Sequence, residues 1–267
     1  MDSFEGKVVV LTGASEGIGR ALALSLARAG SRLVLAARNV ERLASLSQEC
    51  SVHGAEVLYV PTDVSLRTDC TALINAALAR YKAIDVLLLN AGATMWSRLD
   101  ELEDPELLER LMGTNYLGAA WLAWRALPAL VATRGRIVAI SSIAGLVGVP
   151  TRTGYSASKH AMFGFFDSLR IELADQGVSV TIVAPDFVRS EIHRRAIGPD
   201  GKALGVSPMR EAKIMTAEEC AAIILRAALA RRRLVLTSTR SRVIRWLKLI
   251  APSLVDRLAA RAIRRRQ

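Results

Sequence analysis

Short runs rich in Val, Leu and Ile recur along this chain, separated by segments patterned as helices. The runs are Lys7–Leu11, Arg32–Ala36, Glu56–Val60, Val86–Leu89, Arg136–Ile140, Ser179–Ala184 and Leu234–Leu236. Most are apolar throughout. A strand with one wet face alternates apolar and polar residues, whereas a strand covered on both faces has no reason to. Helices are expected near 17–29, 40–53, 67–81, 105–132, 154–175 and 217–230. Strict alternation of strand and helix calls for βαβ units and a parallel sheet. The pattern therefore predicts an α/β fold: one doubly wound, seven-stranded parallel sheet with helices on both faces.

The expected domain covers 1–238, with a Gly-, Pro- and charge-rich segment at 187–215 that fits no strand. A segment of that length in a compact domain reads as a substrate loop. Hydrophobic residues make up 51% of the chain and charged residues 23%, which excludes disorder and a collagen-like repeat. Cys50, Cys70 and Cys220 lie far apart with no metal-ligand spacing, so three reduced thiols and no metal site are expected. No apolar run reaches the ~18–20 residues of a membrane span, and the acidic N-terminus lacks a signal-peptide layout. A cytoplasmic protein is expected.

The net charge of +11 has a location. Residues 1–230 balance at 24 Lys and Arg against 24 Asp and Glu, while 231–267 hold 12 basic residues and only Asp256. The excess belongs to a tail at 239–267, which argues against nucleic-acid binding by the whole protein. In that tail Val243, Trp246, Leu247, Ile250, Leu254 and Leu258 recur at helical spacing among arginines, with Pro252 as a break or a helix start. Such a segment either lies on an anionic membrane surface through 240–266 or docks on its own domain or a second subunit.

After the first strand comes Thr12-Gly13-Ala14-Ser15-Glu16-Gly17-Ile18-Gly19, then Arg20. Glycines there permit a tight turn and close approach to a pyrophosphate, and the following helix N-terminus offers free N–H groups. The second strand ends Ala37-Arg38-Asn39 without the carboxylate that would accept NAD ribose hydroxyls. Arg38 instead suits a 2′-phosphate, with Arg20 as a second cation and Ser15 as a donor, so NADP(H) is the expected cofactor. Asp63, before Val64, serves either an adenine amino group or a helix cap.

Tyr155 and Lys159 share one helix face. A free phenol, pKa ~10, is a poor proton partner at neutral pH, and a nearby ammonium favours the phenolate. Ser142, ending the preceding strand, can donate to a substrate oxygen.

Taken together, Thr12-Gly13-x3-Gly17-x-Gly19, Asn90-Ala91-Gly92, Asn115, Ser142 and Tyr155-x3-Lys159 resemble the short-chain dehydrogenase/reductase family over roughly residues 6–237. The resemblance implies a Rossmann-like fold and hydride transfer at a nicotinamide. It gives Tyr155 as acid/base, Lys159 as the group that lowers its pKa and holds ribose hydroxyls, Ser142 as the carbonyl-polarising donor, and Asn115 as holder of a relay water. Asn115 could equally fix a helix kink. The resemblance also places Ile18, Asn90, Ala91, Gly92, Pro185, Val188 and Ser190 around the cofactor. Asp186 departs from the family's usual glycine, setting a carboxylate near the expected nicotinamide and giving up glycine's freedom at positive φ.

Met95, Trp96, Ile143, Val149 and Phe187 are expected to line an apolar substrate side, which suits a lipophilic ketone or secondary alcohol. Two other readings stay open: a 3-oxoacyl thioester reductase, and a non-catalytic NADP-binding protein. The resemblance further implies a homodimer or homotetramer, built on the long helices near 105–132 and 154–175.

Overall fold

A computed structural model describes residues 3–208 and 214–264, with side chains to 261. Residues 209–213 of the expected loop, and Arg265, Arg266 and Gln267 of the tail, lie outside the described residues. Seven strands form one sheet: β1 (Val8–Thr12), β2 (Arg32–Ala37), β3 (Val57–Pro61), β4 (Val86–Leu89), β5 (Arg136–Ile140), β6 (Ser179–Ala184) and β7 (Leu234–Leu236). All pairings are parallel, in the order β3-β2-β1-β4-β5-β6-β7. The connection from β3 returns the chain to the sheet centre, so the strand order reverses between β1 and β4. Parallel sheets bind ligands at such a reversal, beyond the strands' C-terminal ends.

Each central strand feeds two cores. Val9 and Leu11 of β1 join Leu33 and Leu35 of β2 on one face, and Val10 joins Val34 on the other. That is the two-residue period of a strand, with apolar residues in both phases. The first face is covered by α1 (Gly17–Arg28), α2 (Val40–Val52) and α7 (Ala217–Leu229), through Leu22, Leu26, Leu46 and Ile224. The second is covered by α3 (Arg67–Tyr81), α5 (Gly118–Thr133) and α6 (Thr153–Glu172), through Leu73, Ile74, Leu122 and Phe166. Full burial of a side chain such as Leu22 contributes about 1.5–3 kcal/mol, so the two cores dominate the fold's stability.

The helix expected at 105–132 is interrupted. α4 (Glu106–Met112) runs into a π-helical turn at Gly113–Leu117 before α5 resumes. Sequence periodicity cannot show one residue too many in a turn, and such widened turns are usually tied to a local demand. Here Asn115 sits in the turn with its side chain directed into the domain. Gly118 follows because a Cβ there would lie 2.4 Å from the Val64 carbonyl oxygen.

The 187–208 part of the loop is packed, not open. Ala196 and His193 are buried, and Ile197 bridges to Met95 and to Ala203. Beyond β7 the tail forms α8 (Thr239–Ile250) and α9 (Pro252–Arg264), which pack on each other. Ser238 caps α8, its Oγ accepting the Ser241 N–H at 3.0 Å, and Pro252 starts α9. No described helix is long and apolar enough to cross a membrane.

Candidate active site

A cavity of about 360 Å³ opens at the sheet's reversal point. Its floor begins with the turn after β1. Gly13 and Gly17 hold φ of 62° and 52°, a region that costs other residues dearly. A Cβ on Gly13 would meet the Ala91 backbone at 2.8 Å, and one on Gly19 would reach 2.0 Å from the Gly13 carbonyl oxygen. The glycines thus let three backbone segments converge. α1 starts at Gly17 with no side-chain cap and no acidic residue in its first turn, so its free N–H groups and positive dipole end face the cavity. These are the properties a pyrophosphate needs, and a dinucleotide fits them.

Thr12 fastens the neighbouring strand end. Its Oγ1 accepts the N–H groups of Asn90 at 3.0 Å and Ala91 at 3.1 Å, while the Asn90 amide donates to the Thr12 and Gly13 carbonyls at 3.1 Å. Asn90 therefore holds the turn in place. Gly13, Ser15, Gly17, Ile18, Arg38, Asp63, Val64, Asn90, Ala91, Gly92, Pro185, Val188 and Ser190 all line the cavity.

Arg20 does not belong with them. It points to Glu49 of α2, with Nη2 2.5 Å from a carboxylate oxygen, because one helical step past Gly19 carries its side chain away from the cleft. Gly19 likewise sits behind the turn, where it lets α1 pack against Gly13. Of the two arginines expected there, Arg38 is the one that lines the cavity. Asp63 keeps one oxygen on Ser65, accepting its N–H at 2.9 Å and its hydroxyl at 2.7 Å. Burial works to raise the Asp63 pKa, but the Ser65 bonds and the Arg38 charge hold it below the usual carboxylate value.

At the other end Ser142, Tyr155 and Lys159 line the same cavity. Ser142 follows β5 by two residues and caps a short 3-10 turn, accepting the Ala144 N–H at 3.2 Å. Its neighbour Ser141 is committed elsewhere, donating to the Lys159 carbonyl at 3.1 Å. That leaves Ser142 as the hydroxyl that reaches Tyr155. Burial raises the Tyr155 pKa, while a hydrogen bond from Ser142 and the charge of Arg152 pull it down. Arg152, which the sequence did not single out, thus supplies a cation that acts on the phenol. Its guanidinium also lies over Trp96 at 4.6 Å and Phe187 at 5.7 Å. Lys159 Nζ sits 5.8 Å from the Tyr155 ring centre and donates to the Ile140 carbonyl at 2.9 Å. Burial drives the Lys159 pKa down to about 7.

Asn115 is fully buried and does not line the cavity. Its Oδ1 accepts the Ala93 N–H at 2.7 Å, and its Nδ2 donates to the Ala93 carbonyl and to Ser158 Oγ, each at 2.9 Å. Of the two roles weighed from sequence, the bonds seen here serve the helix distortion. A Cβ on Gly92 would nonetheless lie 3.1 Å from Asn115 Oδ1 and 3.7 Å from Lys159 Nζ, so both groups border the same small space.

Ile143, Val149 and Phe187 line the cavity near Ser142 and Tyr155, together with Ala144 and Ile192. Met95 and Trp96 do not. Met95 is wholly buried in a satellite core with Leu107, Leu111 and Tyr155, and Trp96 is turned onto Arg152. Both were expected at the cleft because their segment follows β4; the Ile197 bridge draws it beneath the loop instead. Asp186 does line the cavity, as expected, but it is not a bare carboxylate there. Its φ is not positive, and its carboxylate accepts from Ser238 Oγ at 2.8 Å and from Arg240 Nε and Nη2 at 3.0 and 2.5 Å. Sequence reading also missed Glu16, which accepts from Arg42 and Arg195 at 2.7 Å each. No local pattern could have paired residues 16 and 195.

Fold and cleft together define the class: a doubly wound, Rossmann-like α/β protein with a phenol, an amine and a hydroxyl gathered at one end of a cleft suited to a dinucleotide. Within that class, the short chain dehydrogenase family matches residues 7–198. An 11-beta-hydroxysteroid dehydrogenase A from Sesamum indicum is 35% identical over 94% of this chain and 74% of its own length. A dehydrogenase/reductase SDR family member 7B from Bos taurus is 36% identical over 97% and 82%. Among solved structures, a short-chain dehydrogenase/reductase from Burkholderia phymatum in complex with NAD superposes with a TM-score of 0.85. It shares 29% identity and covers 95% of this chain and 96% of that one. An alcohol dehydrogenase from Thermococcus sibiricus complexed with 5-hydroxy-NADP gives 0.76 at 29% identity, over 87% and 95%. The chain belongs to the short-chain dehydrogenase family, among hydroxysteroid-dehydrogenase-like members.

Proposed function

We propose that the protein is an NADP(H)-dependent oxidoreductase that interconverts a lipophilic ketone and a secondary alcohol. The observation that carries this reading is the single cleft that holds an anion-ready helix start at one end and Ser142, Tyr155 and Lys159 at the other, with apolar Ile143, Val149 and Phe187 beside them. A nicotinamide dinucleotide bound there supplies or accepts the hydride. Ser142 donates to the substrate oxygen and orients it. Tyr155 passes a proton to that oxygen during reduction and takes it back during oxidation. Lys159 lies within the same buried corner, placed to hold ribose hydroxyls and to favour the phenolate when charged.

Arg38 at the end of β2, with no carboxylate there, supports the 2′-phosphate and hence NADP(H). Glu16 borders the same region, and its charge is met by Arg42 and Arg195. Asp186 gives no support to a non-catalytic protein, since Arg240 holds its carboxylate. A 3-oxoacyl thioester on an acidic carrier remains the second reading, favoured by the basic tail beside the cleft.

The test is NADPH oxidation with a panel of lipophilic ketones and a 3-oxoacyl thioester, using NADH and Tyr155→Phe as controls. Ketone turnover that prefers NADPH and is lost in Tyr155→Phe is the expected result. Preference for NADH would reverse the reading of Arg38, and thioester turnover alone would favour the second substrate class.

A further inference from the structure

The tail is not a free arm. Arg240 makes two bonds to the Asp186 carboxylate, and its guanidinium lies 5.4 Å over the Phe187 ring. At the other end of α8, Lys248 Nζ donates to the Leu146 carbonyl at 2.6 Å. Ser241 and Val255 are buried, which seats α8 and α9 on the domain. Phe187 lines the cleft, and Leu146 lies between cleft residues Ile143 and Val149. The helix pair is therefore fixed at the rim of the substrate end.

Its outer face is apolar and uncovered. Trp246 is 65% exposed and Ile250 80%, with Val243, Leu249, Leu254 and Leu258 exposed as well. Val243, Trp246 and Ile250 follow one stripe of α8, and Leu254 and Leu258 one stripe of α9. Exposed Arg242, Arg245, Arg257 and Arg261 flank those stripes, and the sequence adds Arg264, Arg265 and Arg266. Asp256 is the one acidic residue after position 230.

We infer that this face docks on an anionic phospholipid surface. A second copy of the chain would set arginines against arginines in a two-fold contact, which like charges oppose. A bilayer supplies what both parts of the face lack: acyl chains for the indole and aliphatic groups, and negative headgroups for the flanking cations. Docking there brings the rim of the substrate end to the bilayer, where an apolar substrate is most concentrated. The docking itself does not depend on the reaction proposed above.

The test is flotation of the full chain with phosphatidylcholine vesicles containing about 30% phosphatidylserine, against vesicles of phosphatidylcholine alone. Binding to the anionic vesicles, released by high salt, is expected. Each of Arg242→Gln and Arg245→Gln should weaken it roughly fivefold. Trp246→Ala with Ile250→Ala should abolish stable binding while unfolding temperature and NADPH affinity stay unchanged, since both side chains are exposed. No binding at low salt, or equal binding to neutral vesicles, overturns the inference. So does a sedimentation profile in which Trp246→Ala dissociates an oligomer while vesicles are ignored, or capture by an acidic carrier protein with vesicles ignored.

Discussion

Tyr155 and Lys159 are buried side by side, and burial acts on them in opposite directions. The phenol is pushed up and the ammonium is pushed down, to about 7. A tyrosine kept protonated is ready to act as an acid. Reduction should therefore fall, and oxidation rise, as pH climbs through the alkaline range; a rate profile in both directions checks this. Tyr155→Phe should lower kcat at least ~10²-fold and leave NADPH affinity within a few fold, as measured by fluorescence titration. Lys159 also makes stability depend on pH. Its pKa is about 7 when folded against an ordinary 10.5, so above pH 7 the unfolded chain holds a proton that the folded chain has released. Stability of the cofactor-free protein should rise with pH there, by about 1.4 kcal/mol per unit. The cysteines act the other way from about pH 9. Folding raises Cys50 to about 11 and Cys70 and Cys220 to about 12, so stability is lost as the unfolded thiols ionise. The rise is confined to pH 7–9, and urea titrations of Lys159→Met should show it flattened.

Helix starts and turns decide where these side chains stand. α1 begins in the cleft because Gly13, Gly17 and Gly19 let the chain turn and pack without side chains. Gly19→Ala would force a Cβ against the Gly13 carbonyl. Overpacking of this kind should cost about 1–3 kcal/mol and weaken NADPH binding, both visible in thermal melts with and without cofactor. The π-helical turn at 113–117 is held by Asn115. Asn115→Ala would remove both bonds to the half-buried Ala93 backbone and the donor to Ser158 Oγ, a loss of about 1–3 kcal/mol by denaturant titration. Elements of this kind were legible from composition and spacing: Val86–Leu89, Arg136–Ile140, Ser179–Ala184 and Leu234–Leu236 begin and end where the sequence places them. The π-helical turn was not, because its cause is a bond to Ala93, 22 residues away.

At the scale of the molecule, large apolar side chains beyond the tail face are exposed among the described residues, including Trp124 on α5, 66% exposed, and Ile171 on α6, 75% exposed. We propose that the surface around α5 and α6, the helices on which the family resemblance builds an oligomer, joins copies of the chain. Trp124→Asp should then lower the mass seen by light scattering without moving the unfolding temperature of the subunit by more than a few degrees. The two surfaces lie on different elements, so loss of oligomers and loss of vesicle binding should separate cleanly between Trp124 and Trp246 variants.

The sequence by itself determined the strands, the order of strand and helix, the glycine turn and the Ser142, Tyr155 and Lys159 set. Each is written in local spacing: a period of two or of 3.6, a glycine where φ must be positive, a pair four residues apart. Tertiary structure alone decided the fates of Arg20, Met95, Trp96, Asn115 and Asp186. Arg20 and Arg38 read alike as cations near a turn, yet only one faces the cleft. Asp186 read as a carboxylate near the nicotinamide, and it does line the cleft, but Arg240, 54 residues further on, pairs it. The charge state and direction of a polar side chain depend on what folding brings beside it, and that neighbour is usually distant in the chain.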